Sequence, residues 1–178
     1  IRNPRIVEVL LRYGANASQT AEGQDEFRKA CSVPALSEIA SLILRSDGRP
    51  SAVCVSQALT DATRAQCFDT VLHLSRSTAD GNYNDAEAFK MAITSERRDI
   101  AMAIATGNRP PQNPGLEQAF QQLMENPELS PKSKLDFAEL LLCCGAQGPI
   151  LERSLEMACD SQFFEMANLL ARYGASIV

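Results

Sequence analysis

The chain has 178 residues, 45% of them apolar, enough for a core that withdraws roughly 70% of the unfolded surface from water. Acidic residues outnumber basic ones 22 to 17, for a net charge of −5, which argues against a partner held by its phosphate backbone and sets nucleic acid aside. The longest apolar stretches, such as Phe137 to Ala146, are broken by charge well short of the ~20 residues that cross a bilayer, so no membrane partner is expected.

The chain opens on Ile1-Arg2-Asn3-Pro4, with neither an initiator methionine nor a basic segment followed by an apolar one, and reads as a piece of something longer. The first helical segment closes on Leu10-Leu11-Arg12-Tyr13-Gly14-Ala15. That phrase returns as Leu140-Leu141-Leu142-Cys143-Cys144-Gly145-Ala146 and, with one extra residue, as Leu169-Leu170-Ala171-Arg172-Tyr173-Gly174-Ala175. Weaker copies end near Gly48, Gly81 and Gly107. Taking Arg5, Glu38, Asp69, Asp99, Asp136 and Glu165 as equivalent gives a mean step of about 32 residues, the period of a repeat architecture. The units run over 1–18, 19–50, 51–82, 83–113, 114–148 and 149–178.

Residues three and seven beyond each reference position share its stripe on a helix. The triads are Arg5/Glu8/Arg12, Glu38/Ser41/Arg45, Asp69/Leu72/Arg76, Asp99/Met102/Thr106, Asp136/Glu139/Cys143 and Glu165/Asn168/Arg172. Most are polar, which predicts amphipathic outer helices facing solvent. Leu72 and Met102 interrupt the stripe, through degeneracy, a local shift or a covered surface. Ahead of each outer helix lies a shorter helical pattern, apolar-x-x-small: Phe27 to Ala30, Leu59 to Ala62, Phe89 to Ala92 and Leu155 to Ala158, with Phe120 to Leu123 in the fourth pair. After Phe120 the run Asn126-Pro127-Glu128-Leu129-Ser130-Pro131-Lys132 predicts a long loop, with Ser130 as cap and Pro131 in the first turn of the next helix. The glycines closing the outer helices stand where a left-handed C-cap is wanted.

Six cysteines and one histidine complete the reactive inventory. The thiols read as reduced core residues, which points to an intracellular setting. No CxxC spacing supports a redox pair or a zinc site. His73, inside Thr70-Val71-Leu72-His73-Leu74, reads as a packed helical histidine rather than a base. There is no P-loop, no G-x-G-x-x-G and no nucleophile elbow, so the chain is expected not to be an enzyme: no catalytic residue, metal or cofactor is predicted.

A helix pair of about 33 residues ending in Leu-Leu-x-x-Gly-Ala resembles the ankyrin repeat, and the final unit, SLEMACDSQFFEMANLLARYGA from Ser154 to Ala175, carries the likeness best. The Thr-Pro-Leu-His start of the family's inner helix is missing from every unit, and the turns at Asp47-Gly48 and Asp80-Gly81-Asn82 replace regular hairpins. The fold class implied is an all-α, ankyrin-like solenoid with hairpin fingers reduced or absent; helical hairpins of another solenoid type are the alternative. The resemblance implies a protein-interaction module or scaffold binding a protein or peptide along its concave face. The residues carried over are Glu22, Gln24, Arg64, Tyr83, Asn84, Thr94, Ser95, Glu117, Glu125, Asn126, Glu152 and Asp160. Apart from Arg64 their charges are acidic, so the expected partner is basic; an ordinary solvated acidic surface is the bland alternative. The rival role is an intramolecular spacer or regulatory cover, with neighbouring repeats or domains of the same chain as partners.

Overall fold

The computed structural model describes residues 3–16 and 20–176. Ile1 and Arg2 at the opening, the unit boundary at 17–19, and Ile177 and Val178 at the close therefore lie outside the described residues. The described residues are all-helical and contain no strand. In order they form α1 (Pro4–Arg12), α2 (Ala21–Cys31), α3 (Ser37–Arg45), α4 (Ala52–Arg64), α5 (Phe68–Ser75), α6 (Tyr83–Thr94), α7 (Arg98–Ala105), α8 (Gly115–Glu125), α9 (Pro131–Cys143), α10 (Pro149–Asp160) and α11 (Phe164–Arg172). A short 3-10 turn, Pro34–Leu36, leads into α3. No described helix is long and apolar enough to cross a membrane.

The repeat register survives in three dimensions. Arg5, Glu38, Asp69, Asp99 and Glu165 each occupy the second position of an odd-numbered helix. Asp136 is sixth in α9, because Pro131 to Leu135 extend that helix. The expected long loop is thereby corrected to the five residues 126–130. Ser130 does cap α9, its Oγ accepting from Ser133 N at 3.1 Å. Buried Leu129 and a bond from Lys134 Nζ to Met124 O, 2.8 Å, pin the short loop.

Each even-numbered helix packs on the odd one that follows it, and α2, α4, α6, α8 and α10 also touch in succession. Bonds between neighbours in this even row join early positions to early ones, Cys54 Sγ to Gln24 O, and late to late, Arg28 Nε to Asp61 Oδ2, so α2 and α4 run in the same direction. The apolar-x-x-small positions explain the contact: Phe27, Leu59, Phe89, Phe120 and Leu155 are all buried, one per helix, and form the spine of the core. In the odd row α1 meets α3, α3 meets α5, α5 meets α7, and α9 meets α11.

The repeated Leu-Leu-x-x-Gly-Ala phrase is a helix-terminating hydrogen-bond motif. Ala15 N donates to Leu10 O, Ala146 N to Leu141 O and Ala175 N to Leu170 O, each within 3.0–3.1 Å. Gly14, Gly145 and Gly174 sit between at φ 86–96°, where a β-carbon would be strained. Gly48, Gly81 and Gly107 are not such caps, which corrects the weaker copies. Gly81 and Gly107 permit close approach instead: a β-carbon would stand 2.6 Å from Arg109 O in the first case and from Ser75 O in the second. They bring the loop after α5 against the loop after α7, through Gly81 N to Arg109 O and Asn108 N to Ser75 O, both 2.8 Å.

Two sequence expectations fail on single side chains. Ser41 is buried in the middle of its stripe, because the face of α3 that carries it turns toward α5. Cys31, Cys54 and Cys67 are core thiols, but Cys143 and Cys159 are exposed and Cys144 is half-buried; none is in a disulfide.

Candidate functional site

The twelve residues carried over for partner binding all sit on or beside the even row, but at its two ends. Glu22, Gln24, Tyr83, Asn84, Glu117 and Glu152 lie in first turns. Arg64, Thr94, Ser95, Glu125, Asn126 and Asp160 lie at or just past the C-termini. A helix of this length spans about 17 Å, so these are two rims of one face rather than one cluster.

The first-turn rim is shaped by an unusual start to α6. Asn84, Asp85 and Ala86 take φ of 52°, 56° and 59°, a left-handed turn that L-residues adopt only at a cost of about 1–2 kcal/mol each. Asn82 holds it in place, accepting from Gln112 N at 2.6 Å and donating to Pro110 O and Asp80 Oδ1 at 3.1 Å. Tyr83 is half-buried and its hydroxyl accepts from Gln57 Nε2 at 3.1 Å, while exposed Asn84 bonds Glu87. Tyr83 is thus spent on packing, and Asn84 remains at the surface.

At the C-terminal rim Thr94 and Ser95 share a groove of about 450 Å³ with Glu87, Lys90, Met91 and Gln122, between α6 and α8. Thr94 Oγ1 already donates to Lys90 O, Glu125 accepts from Gln121, and Asn126 caps its own turn through Glu128 N.

Electrostatics along the even row is asymmetric. Most of its cations are engaged: Lys29 with Asp25 and Glu26 at 3.0 and 2.8 Å, Arg28 with Asp61 at 2.7 Å, Arg64 with Asp61 and Glu87 at 3.0 and 3.6 Å, and Lys90 with Gln118 at 2.9 Å. The hydrogen bond to Asp61 raises the Arg28 pKa above its already high ordinary value, so this clamp between α2 and α4 stays charged. Glu22, Glu152, Glu156 and Asp160 have no cationic partner among the described residues and are exposed. Exposed Arg153 stands among the last of these on α10.

The thiols offer little nucleophilic chemistry in the core. Burial pushes Cys31, Cys54, Cys67 and half-buried Cys144 above the ordinary thiol range, which keeps them protonated at neutral pH. No group of three or more His, Cys, Asp or Glu among the described residues is placed to hold a metal ion.

Two of the openings along the odd row are lined by residues that the sequence did not mark as a site. Between α7 and α9, Met102, Pro110, Leu140, Cys143 and Cys144 line an apolar groove of about 410 Å³. Met102 breaks its polar stripe because it faces this groove. The rim is held by Arg98 and Asp136 at 3.8 Å and by Ser133 Oγ donating to Glu96 Oε2 at 2.6 Å. Between α3 and α5 a larger cleft of about 620 Å³ is lined by Arg45, Arg49, His73 and Arg76, with Ser41, Leu44, Ser77, Thr78 and Asn108. His73, expected as a packed residue, is half-buried and opens onto this cleft. The one available signal was that Arg45 and Arg76 hold the same register position in successive units.

No family model, no curated protein and no solved structure matches this chain.

Proposed function

We propose that the chain is a non-catalytic protein-interaction module, built as an ankyrin-like solenoid of stacked helix pairs, that presents its even-numbered row to a basic peptide or a basic protein face. The single observation behind this reading is the charge asymmetry of that row: most of its cations are paired within the chain, while Glu22, Glu152, Glu156 and Asp160 are exposed and have no cationic partner among the described residues. Such an array steers cationic groups and repels anionic ones.

The test uses an arginine- and lysine-rich peptide as probe and fluorescence anisotropy as readout. A triple variant, Glu125→Lys with Glu152→Lys and Asp160→Lys, is expected to weaken binding roughly ten-fold or more at low salt. A triple reversal on the odd row, Glu38→Lys with Asp69→Lys and Glu165→Lys, carries the same net charge and is expected to change affinity far less. Equal losses in the two variants would reduce the effect to overall charge and remove the even row as the binding face.

A second reading, an intramolecular spacer or cover, is favoured by the apolar surface of the terminal helices. Ile6, Val9 and Leu10 on α1 are exposed, as are Phe164 and Tyr173 at α11, an unusual concentration for helices facing only water. It predicts that the segment on its own self-associates in sedimentation velocity runs, through these end faces. A monomer at every concentration would count against it.

A further inference from the structure

The cleft between α3 and α5 is a concentration of positive charge on an acidic protein. Arg45, Arg49, Arg76 and His73 converge on one opening and no carboxylate lines it, although the chain holds 22 acidic residues. Neither Arg45 nor Arg76 has an ion-pair partner among the described residues. Arg12, at the same register position one unit earlier, pairs with Glu8 at 2.8 Å. Guanidinium groups in neighbouring layers repel one another, and leaving them uncompensated costs stability unless something else gathers there.

Arginines near helix C-termini also have a structural explanation, since they complement the negative end of the helix dipole. The hydrogen bonding here weakens that account. The carbonyls at the end of α5 that would oppose an anion are already occupied. Leu74 O accepts from Ser77 N and from Ser77 Oγ at 2.7 Å, and Ser75 O accepts from Asn108 N at 2.8 Å. Arg76 O and Ser77 O accept from Asn108 Nδ2 at 2.6 and 3.2 Å. At the end of α3, Ser46 Oγ donates to Ile43 O at 2.8 Å. At α5 the C-terminal partial charges are quenched by amide and hydroxyl donors, and Arg45 and Arg76 remain over for another acceptor.

We infer that this cleft is an anion-binding site for a compact ligand bearing two or more phosphate groups. Guanidinium forks match phosphate oxygens in geometry and charge. Thr78 Oγ1 makes no hydrogen bond among the described residues and adds a neutral donor at the wall. The volume suits a small molecule rather than a protein segment. No Phe, Tyr or Trp lines the cleft to stack a nucleobase, and its flat groups, His73 and the guanidiniums, present edge nitrogens that suit phosphate oxygens. These features select a polyphosphorylated sugar or cyclitol, either as a soluble metabolite or as the headgroup of a lipid.

Isothermal titration calorimetry with inositol hexakisphosphate and with tripolyphosphate, at about 150 mM salt to screen diffuse attraction, tests the site directly. The wild-type chain is expected to bind, and Arg45→Gln with Arg76→Gln is expected to weaken binding at least roughly ten-fold. Arg153→Gln with Arg172→Gln removes the same charge away from the cleft and is expected to bind as the wild type does. Thermal melts of both variants establish that they fold. Phosphatidylcholine vesicles doped with phosphatidylinositol bisphosphate, in a co-sedimentation arm, separate the two sources: capture that depends on Arg45 and Arg76 marks a headgroup, and binding of the soluble probes alone marks a metabolite. Equal affinity loss in the two double variants, or no binding of either soluble probe, overturns the inference, and capture of a doubly phosphorylated peptide in the latter case reassigns the cleft to a protein ligand. Because the even-row test uses a cationic probe on a different face, either proposal can fail without the other.

Discussion

Phe89→Ala is expected to lower the unfolding free energy by about 3–5 kcal/mol, read as a drop in the urea midpoint at unchanged slope. Phe89 is fully buried in the middle of α6, between Leu59 of α4 and Phe120 of α8 in the spine of the even row. Truncation removes the largest fully buried side chain of α6 and α7 and leaves a cavity against both α4 and α8. The left-handed turn at the head of α6 limits how far the helix can shift to close it. Phe164→Ala, an exposed position on α11, should cost well under 1 kcal/mol by comparison. A loss at Phe89 no larger than that at Phe164 would mean that the even row is not where the core lies.

The second large effect concerns backbone rather than side chain. Gly81→Ala adds one carbon where the nearest atoms are Arg109 O at 2.6 Å, Pro111 N at 2.9 Å and Pro110 C at 3.1 Å. All three belong to the backbone and cannot rotate aside. The two loops must separate, which also breaks Gly81 N to Arg109 O and loosens the neighbouring bonds through Asn82 and Asn108. Overpacking and the lost hydrogen bond together predict about 2–4 kcal/mol of destabilisation by chemical denaturation. Gly145→Ala is the informative control: nothing lies within 4 Å of its added carbon and only its φ of 96° resists, so it isolates conformational strain from collision. If Gly81→Ala is as stable as the wild type, the loops are not in the contact described.

The helices themselves were legible because they rest on local chemistry. The repeat register put its reference residue second in α1, α3, α5, α7 and α11, though not in α9, and the repeated Leu-Leu-x-x-Gly-Ala phrase marked three helix ends, since leucine carbonyls and a left-handed glycine make that stop. The buried ladder from Phe27 to Leu155 was readable for the same reason. What escaped was set between units. Ser41 reads as a surface residue until α5 is laid against α3. Gln66, Glu96 and Gln162 close even helices at φ of 53–58°, without the glycine that would have announced them. The cationic cleft draws on side chains from Ser41 to Asn108, and in an acidic chain no short window of sequence reveals them as a group.

The parting of α7 from α9 bears on how the molecule comes apart. Every other adjacent pair in the odd row is in extensive or modest contact, whereas here the joint is an ion pair, one hydroxyl bond and an open groove. The even row does not share that thinness, because α6 and α8 pack extensively and Phe89 and Phe120 belong to one buried cluster. Opening at this junction therefore begins on the odd side: α9 can swing away from α7 and widen the groove while α6 and α8 still hold the two parts of the molecule together.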